Sequence, residues 1–577
     1  MARHSAAYHL IEAMCEAGVE HLFCNLGTDH VSIIEELARR DAEACRRPRT
    51  ILCPHENVAV HMAGGYAAMT GRGQPVLVHV DAGTANAAMA LHNLFRARLP
   101  VFLMAGRAPF SSRGELPGGR DGYVHFIQDP YDIASLVRPY VHWEYCLPSG
   151  VVAKEAFARG HVLMQAEPRA PVYMTLPREV LAEEIEDAKV HAYPADRYAG
   201  LPARGTDLAT ATRLAEALMA AERPVAFTAY LGRNPAAVPV LDALARETGM
   251  RVVEHAPIHL NIPHDSPCFA GFDPRSLAAE TDCGLLLDVD VPWIPLTVRE
   301  NATASWFQVD VDPLKRDLPI WSFPAGLRIA GDCATVLSQV LEIVRARADD
   351  HYRARVAERI AGWGPAREAR VAAVQAAAAD PGQEDALNPA WALAKLHSML
   401  APSDIVLNEA IRNQPVVQNQ MPRTVPGSYI GLAGGGLGFS GGMALGVKLA
   451  RPGQRVVQVV GDGTFHFCTP DSVYATAQQY GLPILTIVLD NRGWQAVKES
   501  TLRVYPDGAA RHHDNFQSRL DGARNRGMRH FEDVARAFGA HGERVSASED
   551  LEPAIRRCLT AVDGGQAAVL TLRIAPL

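Results

Sequence analysis

No stretch of the chain approaches eighteen uninterrupted apolar residues, so no segment reads as a helix that crosses a bilayer. The ten cysteines, scattered from Cys15 to Cys558, contain no Cys-x-x-Cys pair, which argues against both a disulfide framework and a zinc site. Neither sign of charge dominates. Lys and Arg total 56 against 64 Asp and Glu, a formal net charge of −8, and that balance speaks against a general nucleic-acid or membrane-surface binder. Short-period repeats and low-complexity tracts are absent, and the N-terminus opens into a helical pattern rather than a signal peptide, so the expected location is cytoplasmic. What is present suits a large enzyme: 577 residues, of which 48% are apolar and 21% charged, enough to build cores. That length corresponds to roughly three to four domains.

Strand and helix patterns alternate in three blocks, which predicts an α/β protein of three doubly wound, mainly parallel sheets. The expected limits are 1–182, 207–345 and 386–577. In the first block, strands are expected at Pro75 to Val80, Pro100 to Ala105 and Pro171 to Leu176, with helices over Ala6 to Ala17, Val31 to Arg39 and Asn57 to Thr70. Asp81-Ala82-Gly83-Thr84 reads as a turn. The acidic, then Pro-, Gly- and Tyr-rich stretch from Glu183 to Thr206 reads as a surface linker. A charged helix over Arg345 to Arg370 and an alanine-rich, Pro-Gly-broken segment over Val371 to Asp385 form the second joint. His512-His513 lies in a Gly-, Arg- and Asp-rich segment expected to be a mobile loop.

Two apolar runs in the third block end in chemistry. Arg455 to Val460 leads into Gly461-Asp462-Gly463-Thr464-Phe465, and Leu482 to Leu489 leads into Asp490-Asn491-Arg492-Gly493. A carboxylate and a carboxamide thus stand at the carboxyl ends of two strands separated by one helix. Hard cations of the Mg²⁺ kind take oxygen ligands, and the crevice at such strand ends is where α/β sheets bind phosphorylated ligands. Asp462, Asn491 and a backbone carbonyl near Gly493 are therefore the candidate metal ligands.

This pattern resembles the thiamine diphosphate motif, a Gly-Asp-Gly followed just under thirty residues later by Asn. Here the Asp and Asn are 29 positions apart, about two more than the common form, and Asp490-Asn491 replaces the usual Asn-Asn. A second resemblance lies in the first block, where Pro54-His55-Glu56-Asn57 precedes a helix carrying Ala63-Gly64-Gly65-Tyr66-Ala67. In that family a glutamate so placed hydrogen-bonds the cofactor's pyrimidine ring and promotes the imino form that deprotonates thiazolium C2. By itself, Glu56 reads more readily as a carboxylate favoured by a helix N-terminus, and it is the distant metal motif that turns the reading to catalysis.

The resemblance extends over most of the chain, most closely to benzoylformate decarboxylase and acetolactate synthase-like proteins. Leu26-Gly27-Thr28 is similar to the turn beside the active site, Ala82-Gly83-Thr84-Ala85-Asn86 to a Gly-Thr-x-Asn segment, and Asn408-Glu409-Ala410 to an Asn-Glu-Ser segment. Gly435-Gly436-Leu437-Gly438-Phe439 places Leu437 where a large apolar residue wedges the cofactor into a V. The resemblance therefore implies cofactor contacts at Glu56, Thr28, Asn86, Glu409, Gly435, Leu437, Gly461, Asp462, Gly463, Thr464 and Asn491. His79 aligns with a histidine on the substrate side, where a near-neutral imidazole both gives and takes protons; His30, His125 and Gln128 are further pocket candidates. Arg412 stands where relatives carry hydroxyls that hold the diphosphate, and is a candidate phosphate or carboxylate partner.

The implied activity is a thiamine diphosphate- and Mg²⁺-dependent lyase or transferase acting on a small 2-keto acid, with CO₂ lost and an enamine either protonated to an aldehyde or added to an aldehyde acceptor. Acetolactate synthase-type ligation and a 2-hydroxyacyl lyase remain open within the family. Segments that mark its flavin-binding members are replaced by Ala270-Gly271-Phe272-Asp273 and Asp288 to Trp293, which speaks against FAD. Outside the family, Gly436-x-Gly438-x-x-Gly441 fits a dinucleotide fingerprint, so a dinucleotide-dependent oxidoreductase competes. Glu56 and Asn491 are left unexplained by that reading. No nucleic acid or membrane partner is expected, and the family's habit of building the site across subunits implies a homodimer or homotetramer.

Overall fold

The computed structural model describes residues 2–198, 200–519 and 530–576. The alternating pattern folds into three doubly wound parallel sheets. The first has six strands in the order Arg49–Leu52, His21–Cys24, Gln74–Val78, Val101–Arg107, Val172–Pro177 and Glu144–Cys146, each parallel to its neighbours. The third has six in the order Tyr429–Gly431, Ile405–Glu409, Val456–Gly461, Leu485–Asp490, Ala568–Arg573 and His541–Val545, again all parallel. Numbered in chain order within each sheet, both read 2-1-3-4-6-5, so the first and third sheets share one winding. The central sheet, Arg251–Glu254, Pro224–Thr228, Cys283–Leu287, Ser305–Asp310 and Leu327–Ala330, reads 2-1-3-4-5. Strands such as Leu485–Asp490 are buried along their whole length, as expected where helices cover both faces.

In this winding the chain reverses direction across the sheet between the first and third strands, and the crevice beyond their carboxyl ends is the natural ligand site. It opens beyond Cys24 and Val78 in the first sheet, and beyond Glu409 and Gly461 in the third. The two sheets are joined by the Glu56–Thr70 and Ser440–Ala450 helices, which cross at backbone distance. A Cβ on Gly65 would stand 2.2 Å from Met443 O, and one on Gly446 would stand 1.9 Å from Met62 O, so only glycine permits this approach.

Four expectations change. Asp81 to Thr84 is not a turn but the first turn of the Val80–Arg96 helix, closed by Gly83 N donating to His79 O (2.7 Å) and Thr84 Oγ1 to Val80 O (2.7 Å). The expected linker begins with Glu184–Glu186, a strand paired antiparallel with Arg3–Ser5. Helix Gly364–Ala377 runs into the first half of the alanine-rich joint, as the high helix propensity of alanine favours, and ends before the Pro-Gly break. His512 ends a short helix, Ala509–His512.

Candidate active site

Glu56 opens the Glu56–Thr70 helix at the rim of the first sheet and is almost wholly buried. Its Oε2 accepts a hydrogen bond from Asn86 Nδ2 at 3.0 Å. Asn86 is reached because the preceding segment is helical: it stands almost two turns along from Val80 and so faces back toward Glu56. Gly83 leaves the space beside the carboxylate, since a Cβ there would lie 3.2 Å from Glu56 Oε1.

Across the reversal point of the same sheet, His79 meets Asp29. His79 Nδ1 lies 2.5 Å from Asp29 Oδ1, its Nε2 lies 3.2 Å from Gln128 Oε1, and Asp29 Oδ2 accepts from Val80 N at 3.2 Å. Both ring nitrogens thus face oxygen, an arrangement that favours the imidazolium. The hydrogen bond to Asp29 raises the His79 pKa above its ordinary value, although burial opposes the shift. Burial would raise the Asp29 carboxyl, yet the hydrogen bond from His79 and the neighbouring imidazoles bring it below its usual range. Two glycines make room for the pair. A Cβ on Gly106 would stand 1.5 Å from Asp29 Oδ2, and one on Gly27 would stand 2.1 Å from His79 Nδ1. Val80 holds φ at +32°, a strained value of the kind that clusters at functional sites. His30, expected to line the pocket, is fully buried behind Asp29; its Nδ1 accepts from Gly27 N at 3.0 Å, and burial lowers its pKa. The side chain is therefore sealed from a substrate. Thr28, by contrast, is exposed at the crevice.

In the third sheet, register places Gly461 beside Leu489, so Asp462 and Asn491 emerge at neighbouring strand ends. Gly463 N donates to Asp462 Oδ1 at 2.8 Å. The inward atom of the Asn491 carboxamide, placed as oxygen, lies 2.7 Å from Gly493 O and 3.1 Å from Asp462 Oδ1. The carboxamide thus bridges Asp462 Oδ1 and Gly493 O: with its oxygen inward the three atoms form an oxygen cluster, and turned over its nitrogen donates to both. A hard octahedral cation binds oxygens at about 2.0–2.1 Å, which sets adjacent ligands on the order of 2.9 Å apart. The donor set fits such an ion. Gly493 holds φ at +139°, and a Cβ there would stand 2.2 Å from Ser518 O, a position no other residue would take without strain. Thr464 is buried one turn on, and Trp494 packs over Gly463. Asp490, the departure from the usual motif, is no ligand: it is fully buried and accepts from Arg573 Nη1 at 2.5 Å on the adjoining strand.

Glu409 differs from its expected role as a cofactor contact. It is 1% exposed, and its carboxylate turns inward onto the segment that follows Leu437. Oε1 accepts from Gly438 N (2.6 Å) and Phe439 N (3.1 Å), and Oε2 from Ser440 N (2.9 Å) and Ser440 Oγ (2.5 Å). Burial pushes this carboxyl up to about 7, with the hydrogen bonds from Ser440, Gly438 and Phe439 pulling it back. Gly435, exposed at φ +81°, and the partly exposed Leu437 form the outer part of this loop. Arg412 is paired with Glu499 at 3.0 Å. Asp29 was missed in the sequence, although a carboxylate two residues after Gly27, in the turn facing the strand of His79, is a signal that could have found it.

Two family descriptions match the chain: "Thiamine pyrophosphate enzyme, N-terminal TPP binding domain" over residues 4–136 and "Thiamine pyrophosphate enzyme, C-terminal TPP binding domain" over residues 413–571. The chain is 26% identical to a benzoylformate decarboxylase of Pseudomonas aeruginosa, over 97% of this chain and 96% of that one. It is 21% identical to the acetolactate synthase large subunit of Haemophilus influenzae, over 97% and 93% respectively. A thiamine diphosphate-dependent 4-hydroxybenzoylformate decarboxylase of Rhodococcus jostii RHA1 shares the fold, with a TM-score of 0.76 at 20% identity over 100% of both chains.

Proposed function

We propose, for a chain that belongs to the thiamine pyrophosphate enzyme family, a Mg²⁺-dependent reaction in which a small 2-keto acid is decarboxylated and the acyl unit is released as an aldehyde or joined to a second carbonyl. The observation that carries this reading is the pair of crevices: a buried Glu56 held by Asn86 in one, and the oxygen cluster of Asp462, Asn491 and Gly493 in the other. Thiamine diphosphate supplies, when bound, a nucleophilic carbon and an electron sink for cleaving a bond beside a keto carbon. Asp462, Asn491 and Gly493 O would hold Mg²⁺ and through it the diphosphate. Glu56 would share a proton with a pyrimidine-ring nitrogen, its orientation set by Asn86. His79 would hold a proton at Nε2 and deliver it on the substrate side, oriented by Asp29 at Nδ1.

The Asp29–His79 pair favours protonation, and hence aldehyde release, over ligation. Incubation with a panel of 2-keto acids, with and without aldehyde acceptors, tests the reading by product analysis: none turned over would end it. His79→Ala should slow aldehyde release by ~10² to 10⁴ and shift products toward the ketol, whereas an unchanged ratio would remove His79 from the proton transfer. The pH dependence follows from sign. A raised His79 pKa keeps the imidazolium to higher pH than an ordinary histidine; the pair's contribution to stability is present below the unfolded-state histidine pKa and is lost as pH rises through the folded value. With Asp29 lowered, the same pair is lost again as pH falls through the folded carboxyl pKa. Asp29→Asn should therefore move the alkaline fall of aldehyde release to lower pH.

The active unit proposed is at least a homodimer, in which Glu56 of one subunit serves the oxygen cluster of the other. Exposed Tyr123, Phe126, Ile127 and Tyr131 flank Gln128, an apolar patch that suits a two-fold contact beside the first crevice. Sedimentation at assay concentration should find no active monomer; a fully active one would contradict the assembly.

A further inference from the structure

Leu437 lies between two glycines whose backbones are both pinned, from opposite sides. On the third-block side, the four bonds onto the Glu409 carboxylate hold Gly438, Phe439 and Ser440. Ser440 Oγ is locked in turn by a buried ladder: it accepts from Gln458 Nε2 at 2.8 Å, Gln458 Oε1 accepts from Thr486 Oγ1 at 2.9 Å, and Thr486 Oγ1 accepts from Tyr474 OH at 2.9 Å. Gln458 and Thr486 are register partners on the very strands that end in Gly461 and Asp490, so the ladder ties the loop to the supports of Asp462 and Asn491. On the first-block side, the Asn93 carboxamide pairs with the Gly436 peptide in both directions: Gly436 N donates to Asn93 Oδ1 at 3.1 Å, and Asn93 Nδ2 donates to Gly436 O at 2.8 Å. Asn93 is 3% exposed, and the fully buried His61 stands 3.2 Å from the same Nδ2. Asn57 Nδ2 reaches Gly438 O at 3.4 Å.

We infer that Asn93 and Glu409 are positioning residues that clamp Leu437 from the two blocks and so fix its height in the crevice, which makes the seating of the first block on the third part of the site's geometry. The inference rests on the reading above, in which Leu437 supports the bent cofactor. The physical reason is that Gly435 and Gly438, at φ +81° and +95°, lie in conformations that cost glycine little to leave, so a loop built on them holds one shape only if its peptide groups are tied. A buried carboxylate with four donors and a carboxamide matched to one peptide supply those ties. Neither side chain needs to touch a ligand.

Glu409→Gln puts an amide N–H where Ser440 donates, and Asn93→Ala removes both bonds to Gly436. In the protein without cofactor, deuterium exchange at Gly436 or at Gly438, Phe439 and Ser440 should accelerate about tenfold or more, while strand amides such as Val457 and Ile487 exchange as before. Ser440→Ala, which removes the hydroxyl's bonds to Glu409 and Gln458 but leaves the three backbone donors on the carboxylate, should act in the same direction but less and keeps the test available if Glu409→Gln fails to fold. With thiamine diphosphate and Mg²⁺ bound, each variant should slow hydrogen–deuterium exchange at cofactor C2, and in combination with Leu437→Ala should add nothing to the loss caused by Leu437→Ala alone. Unchanged loop amides in the cofactor-free variants, or losses that add to that of Leu437→Ala, would overturn the clamp. If the unmodified protein takes up no thiamine diphosphate by calorimetry, the cofactor reading falls and the inference with it; uptake combined with additive losses overturns the clamp alone.

Discussion

Asp462→Ala is expected to leave a folded protein that no longer retains thiamine diphosphate. The Asp462 side chain is 1% exposed at the start of a short helix, and its Oδ1, which accepts from Gly463 N at 2.8 Å, faces the Asn491 carboxamide beside Gly493 O. In the proposed role it is the one charged ligand of the cation that bridges to the diphosphate, and neither Asn491 nor Gly493 O can replace that charge. Affinity for the cofactor at fixed Mg²⁺ should fall by at least ~100-fold, a loss of ~2.8 kcal/mol. The stability gained on binding separates this from simple damage. The rise in melting temperature that ligand binding confers on the unmodified protein should vanish. Undiminished affinity by calorimetry would sink the ligand assignment.

Glu56→Gln should do the opposite: bind the cofactor nearly as well, yet fail to activate it. A glutamine keeps the shape and keeps an oxygen able to accept from Asn86 Nδ2, which now reaches Glu56 Oε2 at 3.0 Å. What it loses is the negative charge that would share a proton with the pyrimidine ring. Deprotonation at C2, followed by hydrogen–deuterium exchange under quench, should slow by ~10² to 10⁴, the range for loss of a positioned acid or base. An unchanged exchange rate would exclude Glu56 from the proton transfer, and a lost affinity would make it a binding group instead. Taken with Asp462→Ala, the two variants dissociate holding the cofactor from activating it.

Local patterns suffice where one segment carries the whole signal. Periodicity alone marks the strands that end in Gly461 and Asp490, and spacing alone puts a carboxylate and a carboxamide on adjacent ends, because parallel strands joined by one helix must emerge on the same side. The Gly83-Thr84 pair misled: residues that commonly make turns here sit in the first helical turn, where Thr84 bonds back to Val80 O at 2.7 Å.

What the sequence by itself determined is the alternation of strands and helices, the family motif and the residue types available at each strand end. Only the tertiary structure decided where those side chains point. His79 and Asp29 are 50 residues apart and meet because the sheet order brings their strand ends together. Asp490 and Arg573 are 83 apart and pair because register sets them side by side. The same register and packing turned Glu409 inward and sealed His30 behind Asp29, two outcomes with no local signature. The physical reason is that periodicity encodes which face of an element is buried, whereas the partner a buried polar group finds depends on strand order, register and the depth of the crevice, all of which exist only once the sheets have formed.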